Sequence, residues 1–163
     1  MKTLTLMILS SLLFSSVLSA EVEVVFQDPE GYRDIDYGYS NTKRGIKVHL
    51  PELEKHIIKQ GQRFLKEGQR LAMTVTDVDL AGDYEPWLSP SFDDIRIVKS
   101  IYPPRIRFTY ELTDADGNVL SSGEERLVDM SFQYRMRTNT YDDLYYDKAM
   151  ITDWMRRLIR NLK

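Results

Sequence analysis

Four carboxylates crowd one short stretch, TVTDVDLAGDYEP: Asp77, Asp79, Asp83 and Glu85 lie within nine positions around a single glycine, Gly82. Carboxylates at that density have three uses. They can converge on a hard cation such as calcium, which takes oxygen ligands from a flexible turn. Asp77 and Asp79 could instead divide the roles of acid and base in a small hydrolase, if an apolar setting raised one pKa. Or they could solvate a strand end and pair with arginines, for which Arg96, Arg105 and Arg107 are available. The match to a helix–loop–helix calcium loop is partial. Asp77, Asp79 and Gly82 fill its first, third and sixth positions, whereas Ala81 and Leu88 stand where a further acid or amide and the bidentate glutamate belong. The strand-end role is favoured, with Asp77, Asp79, Asp83 and Glu85 as the ligand set if calcium binds.

The same stretch carries a conflict of phase. On a regular strand Asp77 and Asp79 share a face with Leu71, Met73 and Val75, while Val78 and Leu80 point the other way. Either a bulge near Val75 to Val78 resets the register, or the aspartates stand at the open end of the core face, their Cα atoms roughly 6.7 Å apart.

Other chemistry-bearing groups are weaker. His49, Glu52 and His56 share a helical face by spacing and mimic a two-histidine, one-carboxylate site. Pro51 argues that His49 precedes the regular helix, and surface histidines near a helix start are the commoner outcome. Ser40 to Lys43 matches an S-x-x-K string without its companions, in a chain too short for that enzyme fold. There is no G-x-S-x-G, phosphate-binding glycine loop or dinucleotide fingerprint. Tyrosines cluster at Tyr32, Tyr37 and Tyr39 and again at Tyr134, Tyr141, Tyr145 and Tyr146. Loop tyrosines suit contact with a protein or glycan, because they add large area at little entropic cost. Their alternative use is to lid the core.

The chain as a whole limits the choices. Lys2 followed by an almost wholly apolar or small run from Leu4 to Leu18, then Ser19 and Ala20, has the form of an export signal cleaved before Glu21. The run is short of the ~20 residues a membrane span needs, so the mature chain is expected to carry none. Without residues 1–20, the 163-residue chain leaves 143 residues, one domain's worth over 21–163. The formal charge of −3 becomes −4 once Lys2 is removed, which disfavours nucleic acid or an anionic membrane as partner. With no cysteine, disulfides, thiol nucleophiles and cysteine-ligated zinc are excluded.

These groups must be positioned by the elements that the patterns predict. Glu21 to Phe26 reads as a strand, and 30–45 as a loop. Leu50, Leu53, Ile57, Phe64 and Leu65 recur at helical spacing, giving a helix from Val48 to Lys66 with Pro51 in its first turn and Gly68 past its end. Leu71 to Leu80 is a second strand, parallel to the first by the default crossover. Ile95 to Ile101 reads as a third. Arg105 to Thr113 alternates strictly, turns at Asp114 to Asn118 and returns as Val119 to about Phe132. A last helix spans about Asp147 to Leu162, with Ile151, Trp154, Met155, Leu158 and Leu162 as its apolar stripe. The order β-α-β-β-β-β-α gives an α+β two-layer sandwich: a mixed, mostly antiparallel sheet of about five strands covered by two helices.

The segments VVFQDPEGYRDIDY, TDVDLAGDYEP, DADGNVLSSGEERLVDM and YYDKAMITDWM, in this order, resemble an uncharacterised family of small exported bacterial proteins, domain of unknown function 3016. The likeness covers nearly the whole mature chain and is most specific at Val78 to Gly82 and at Asp153-Trp154. Asp147 and Met155 depart from it, where a Glu and an aromatic would be expected. It implies export and a single domain, offers no catalytic residues to carry over, and leaves the chemistry open. The reading reached is an exported, periplasmic or secreted domain without enzymatic activity or cofactor that binds an envelope protein or glycan. A calcium-binding module is the alternative, and a small hydrolase comes third.

Overall fold

A computed structural model of the chain describes residues 19–87, 94–136 and 141–162. Four strands form the main sheet in the order β1-β2-β5-β6: β1 (Glu21–Phe26), β2 (Arg70–Asp79), β5 (Arg105–Thr113) and β6 (Val119–Val128). β1 and β2 are parallel, joined through α1 (Thr42–Phe64). The other pairings are antiparallel. A separate two-stranded ribbon pairs β3 (Asp83–Tyr84) with β4 (Arg96–Ile97). The chain closes with α2 (Tyr145–Asn161). The fold is α+β, with both helices on one face of a mixed, mostly antiparallel sheet.

Alternation along β5 builds the core as its sequence requires. Ile106, Phe108 and Leu112 are buried, beneath Leu53 and Ile57 of α1 and Ile151, Trp154 and Met155 of α2. Phe108 meets Trp154 edge-on, with ring centroids 4.7 Å apart. Such pairs add about 1 kcal/mol beyond their buried area.

α1 starts six residues before the Val48 suggested by the sequence. Asn41 is its cap, its side chain accepting from the Arg44 N–H at 3.2 Å, so Pro51 lies inside the helix rather than in its first turn. Pro51 is exposed, which leaves water to satisfy the carbonyl it cannot serve. Gly45 explains the early start. Its Cα packs so closely on the Tyr32–Asp36 segment that an added Cβ would lie 1.7 Å from the Ile35 carbonyl oxygen.

The expected third strand, Ile95 to Ile101, is also corrected. Only Arg96–Ile97 pairs, and it pairs with Asp83–Tyr84 rather than joining the main sheet. The excursion is closed on itself locally: the Gly82 N–H donates to Tyr102 O and the Tyr102 N–H to Lys99 O, each at 3.0 Å. Gly82 turns the chain there with φ +83°, a conformation natural to glycine. The main sheet therefore has four strands where about five were expected.

Candidate functional site

The phase conflict in β2 is resolved by a bulge. Val75 pairs with Phe108 and Asp77 with Arg107, so Thr76 is the extra residue between them. Beyond it Val78 enters the core at 2% exposure, and Asp77 and Asp79 on either side of it turn away. The bulge leaves the Val75 carbonyl to accept from the Gln27 N–H at 2.9 Å and from the buried Tyr32 hydroxyl at 2.8 Å.

The four acids of the turn do not converge on one point: Asp77 and Asp79 share Arg33, while Asp83 and Glu85 meet separate donors. Asp77 Oδ1 accepts from the Arg33 N–H at 2.9 Å. Asp79 pairs with Arg105 at 2.5 Å and lies 3.6 Å from Arg33. Burial raises the Asp79 pKa against the pull of Arg105. Asp83 Oδ1 accepts from the Tyr84 N–H. Glu85 is buried and receives Lys99 Nζ and the Tyr102 hydroxyl, which hold its pKa below the ordinary range, Lys99 foremost. Among the described residues, no group of three or more His, Asp or Glu side chains is arranged to hold a metal ion. Nor do Asp77 and Asp79 share a closed pocket suited to acid–base work. Asp79 and Asp83 border an open hollow in which Arg33 and Arg105 already face the carboxylates.

His49 and His56 also separate. With α1 starting at Thr42, both lie in regular helix, yet they serve different neighbours. His49 Nε2 lies 3.3 Å from Asp36 O, whereas His56 Nε2 lies 2.9 Å from both Lys148 O and Thr152 Oγ1. Burial keeps both pKa values below 6.5, and Arg96 adds to the effect at His49. Glu52 faces Lys148 of α2 at 3.7 Å.

A different place gathers chemistry. Where the β3–β4 ribbon meets α1 and the start of α2, a cavity of about 300 Å³ opens. The ribbon contributes Tyr84, Ile95, Arg96 and Val98 to its wall; His49 comes from α1, and Asp143, Leu144 and Tyr146 from the start of α2. Tyr37 stacks near His49, ring centroids 5.4 Å apart, and the guanidinium of Arg44 lies 4.2 Å above its ring.

Arg96 holds this wall in place. Its two terminal nitrogens donate to both Asp34 oxygens at 2.7 and 2.9 Å, to Gly82 O at 2.9 Å and to Asp36 O at 3.0 Å. Its plane lies over the Tyr84 ring, 4.6 Å from the centroid. Burial works against the Arg96 charge, but Asp34 outweighs it and keeps the guanidinium firmly protonated. The Nε atom is buried without a hydrogen-bond partner among the described residues.

Asp147 lies directly behind the wall. It is 4% exposed, in the first turn of α2, and its Oδ1 accepts from the N–H of Ala81, a lining residue, at 3.1 Å. Its Oδ2 is buried with no hydrogen-bond partner among the described residues. Burial pushes its pKa up to about 7, opposed by the Ala81 N–H and by the charge of Arg96. Among the described residues, Arg96 Nε in the wall and Asp147 Oδ2 behind it are thus a buried donor and a buried acceptor without hydrogen-bond partners.

Sequence patterns single out parts of this site. The tyrosine clusters and His49 are visible in the sequence, but as a contact surface and a metal candidate. The Asp147 signal lies in the helical period: at 147, 151, 154 and 158 one acid occupies the stripe of Ile151, Trp154 and Leu158. No local pattern joins Arg96 to Asp34, since 62 positions separate them.

The family model described as Protein of unknown function (DUF3016) matches residues 20–157. Among solved structures, the chain is similar to a minor lipoprotein from Acinetobacter baumannii at 9% identity, over 88% of this chain and 91% of that one, with a TM-score of 0.28. A likeness of that grade carries no functional argument. No curated protein matches the chain.

Proposed function

The chain belongs to the DUF3016 family, and from that premise we propose that it is an exported, periplasmic or secreted domain without enzymatic activity that binds an envelope protein or glycan. Its cavity beneath the β3–β4 ribbon receives a projecting group of that partner. The observation that carries this reading is the cavity itself, about 300 Å³, walled by tyrosine rings and polar groups from three separate elements. Binding sites have that character: concave, largely aromatic or apolar, with a few placed polar groups. Export is supported by the composition of residues 1–20. No helix among the described residues is long and apolar enough to cross a membrane.

A thermal-shift panel of peptidoglycan fragments, outer-envelope saccharides, envelope peptides and calcium tests this. A ligand at 100 times its Kd adds about 2.7 kcal/mol of stability, a clear rise in Tm. The expected result is a rise with a saccharide or peptide that Val98→Arg, a long cation at the cavity rim, abolishes. A rise that V98R leaves intact, or no rise with any member, would contradict the reading. A rise with calcium alone, in metal-free protein, would replace it with the calcium alternative centred on Asp77, Asp79, Asp83 and Glu85.

A further inference from the structure

Resting on the cavity as the binding site, the charge of its lining narrows the ligand class. Its mouth carries two exposed carboxylates, Asp94 and Asp143. Behind it stands Asp147, whose Oδ2 has no hydrogen-bond partner among the described residues. The positive charge on the wall is already matched: Arg96 gives both terminal nitrogens to Asp34 and to two carbonyls, and Asp34 balances it one for one. His49 is held neutral by burial and by Arg96. Among the described residues that line the cavity, the two carboxylates thus outnumber the one cation, Arg96, with Arg44 standing outside the lining on the far face of Tyr37; a phosphate or carboxylate ligand would meet repulsion at the rim.

The rings set the second constraint. Tyr37 and Tyr84 are each fixed by an arginine against one face, and Tyr146 meets Phe132 edge-on at 4.9 Å. Aromatic walls with carboxylates nearby attract an ammonium group through both the ring quadrupoles and the charges. A volume of about 300 Å³ is at the small end of ligand pockets. It suits a single ring with substituents better than the narrow stem of a lysine side chain, which would leave the cavity partly unfilled.

We propose that the cavity binds a hexosamine unit of an envelope glycan, its free ammonium group facing the Asp94 and Asp143 carboxylates at the mouth and its ring lying among Tyr37, Tyr84 and Tyr146. An acetylated amine would lose the charge and keep the ring, so discrimination between the two is the mark of this site.

The test is a backbone amide NMR titration of the purified protein at neutral pH. The probes are glucosamine, N-acetylglucosamine, glucose and Nα-acetyl-lysine amide. Glucosamine should bind saturably and shift the Ala81, Arg96, Val98 and Leu144 amides, with N-acetylglucosamine and glucose at least tenfold weaker. The double variant Asp94→Asn, Asp143→Asn changes only exposed side chains and should weaken glucosamine severalfold while its spectrum stays dispersed. Equal affinity for the neutral sugars would overturn the amine assignment and leave a neutral-sugar binding domain standing. Acetyl-lysine amide binding as tightly as glucosamine would overturn the sugar assignment. Saturation by none of the probes would overturn the hexosamine outright, and the binding function would then depend on the thermal-shift panel.

Discussion

Asp147 occupies a position on the buried stripe of α2 that an apolar residue would normally take, with one oxygen bonded to Ala81 and the other without a partner among the described residues. Its pKa is raised from 3.8 to about 7, so the folded protein holds a proton that the unfolded chain has released. The sign follows directly. This group favours folding most below about pH 4, loses that advantage as pH climbs to about 7, and contributes a constant penalty above. Asp147→Asn should flatten that slope and raise stability at pH 8 by up to about 4 kcal/mol relative to the parent, with little difference at pH 4. Urea unfolding at the two pH values measures it; an equal effect at both would refute a charged Asp147. Arg96 is the complementary case. Arg96→Ala would strand Asp34 half-buried and release the ribbon, costing about 3 kcal/mol in the same assay. Arg96→Lys should recover part of that loss, since one ammonium cannot replace four guanidinium bonds.

The elements place these residues through two close fits, at Thr76 and Gly45. Thr76 is the bulge that lets β2 present Val75 and Val78 to the same core while turning Asp77 and Asp79 outward. Deleting Thr76 would set Asp77 next to Val75 in unbroken alternation, opposite Arg107 and still turned outward, so the cooperative unfolding transition should survive; its loss would contradict Thr76 as the inserted residue. At Gly45, α1 crosses the Tyr32–Asp36 segment that supplies Asp34 to Arg96. Gly45→Ala would force a Cβ to within 1.7 Å of the Ile35 carbonyl and should destabilise by about 3 kcal/mol or more, measured as a lower denaturation midpoint. Alternation and helical period made the four long strands and both helices legible in the sequence, as well as the parallel start of the sheet. The conflict of phase at Val75 to Val78 also announced the bulge. The cap at Asn41 was hidden by Pro51, which imitates a helix start. The β3–β4 ribbon was hidden because two-residue strands carry no period. The cavity was illegible for the same kind of reason: its wall joins Tyr37 and His49 to Arg96 and Leu144, contacts of long sequence separation that only the finished fold creates.

At the scale of the whole molecule, one face of the sheet is packed by helices, and the other carries charged pairs such as Asp79 with Arg105. The exposed apolar side chains Trp87, Ile95, Val98 and Ile101 belong to the ribbon segment, and Met130, Tyr134, Met136 and Tyr141 to the stretch leading into α2. The Gln133 amide reaches Val98 O at 3.2 Å, which brings the two stretches to one end of the molecule, beside the cavity. Apolar surface of that kind commonly marks a contact region. The acidic turn that first suggested a metal site belongs to the scaffold of this end. Its carboxylates pair with Arg33, Arg105 and Lys99, the last pair lying within the ribbon segment itself. Binding at this cavity, as proposed, differs from binding on the open sheet face in the amides it disturbs. Amide shift mapping with a solubilised envelope glycan separates the two. Perturbed signals are expected at Ala81, Arg96, Val98 and Leu144, with Arg107, Thr109 and Glu124 on β5 and β6 unmoved; shifts confined to those strand positions would rule out the cavity.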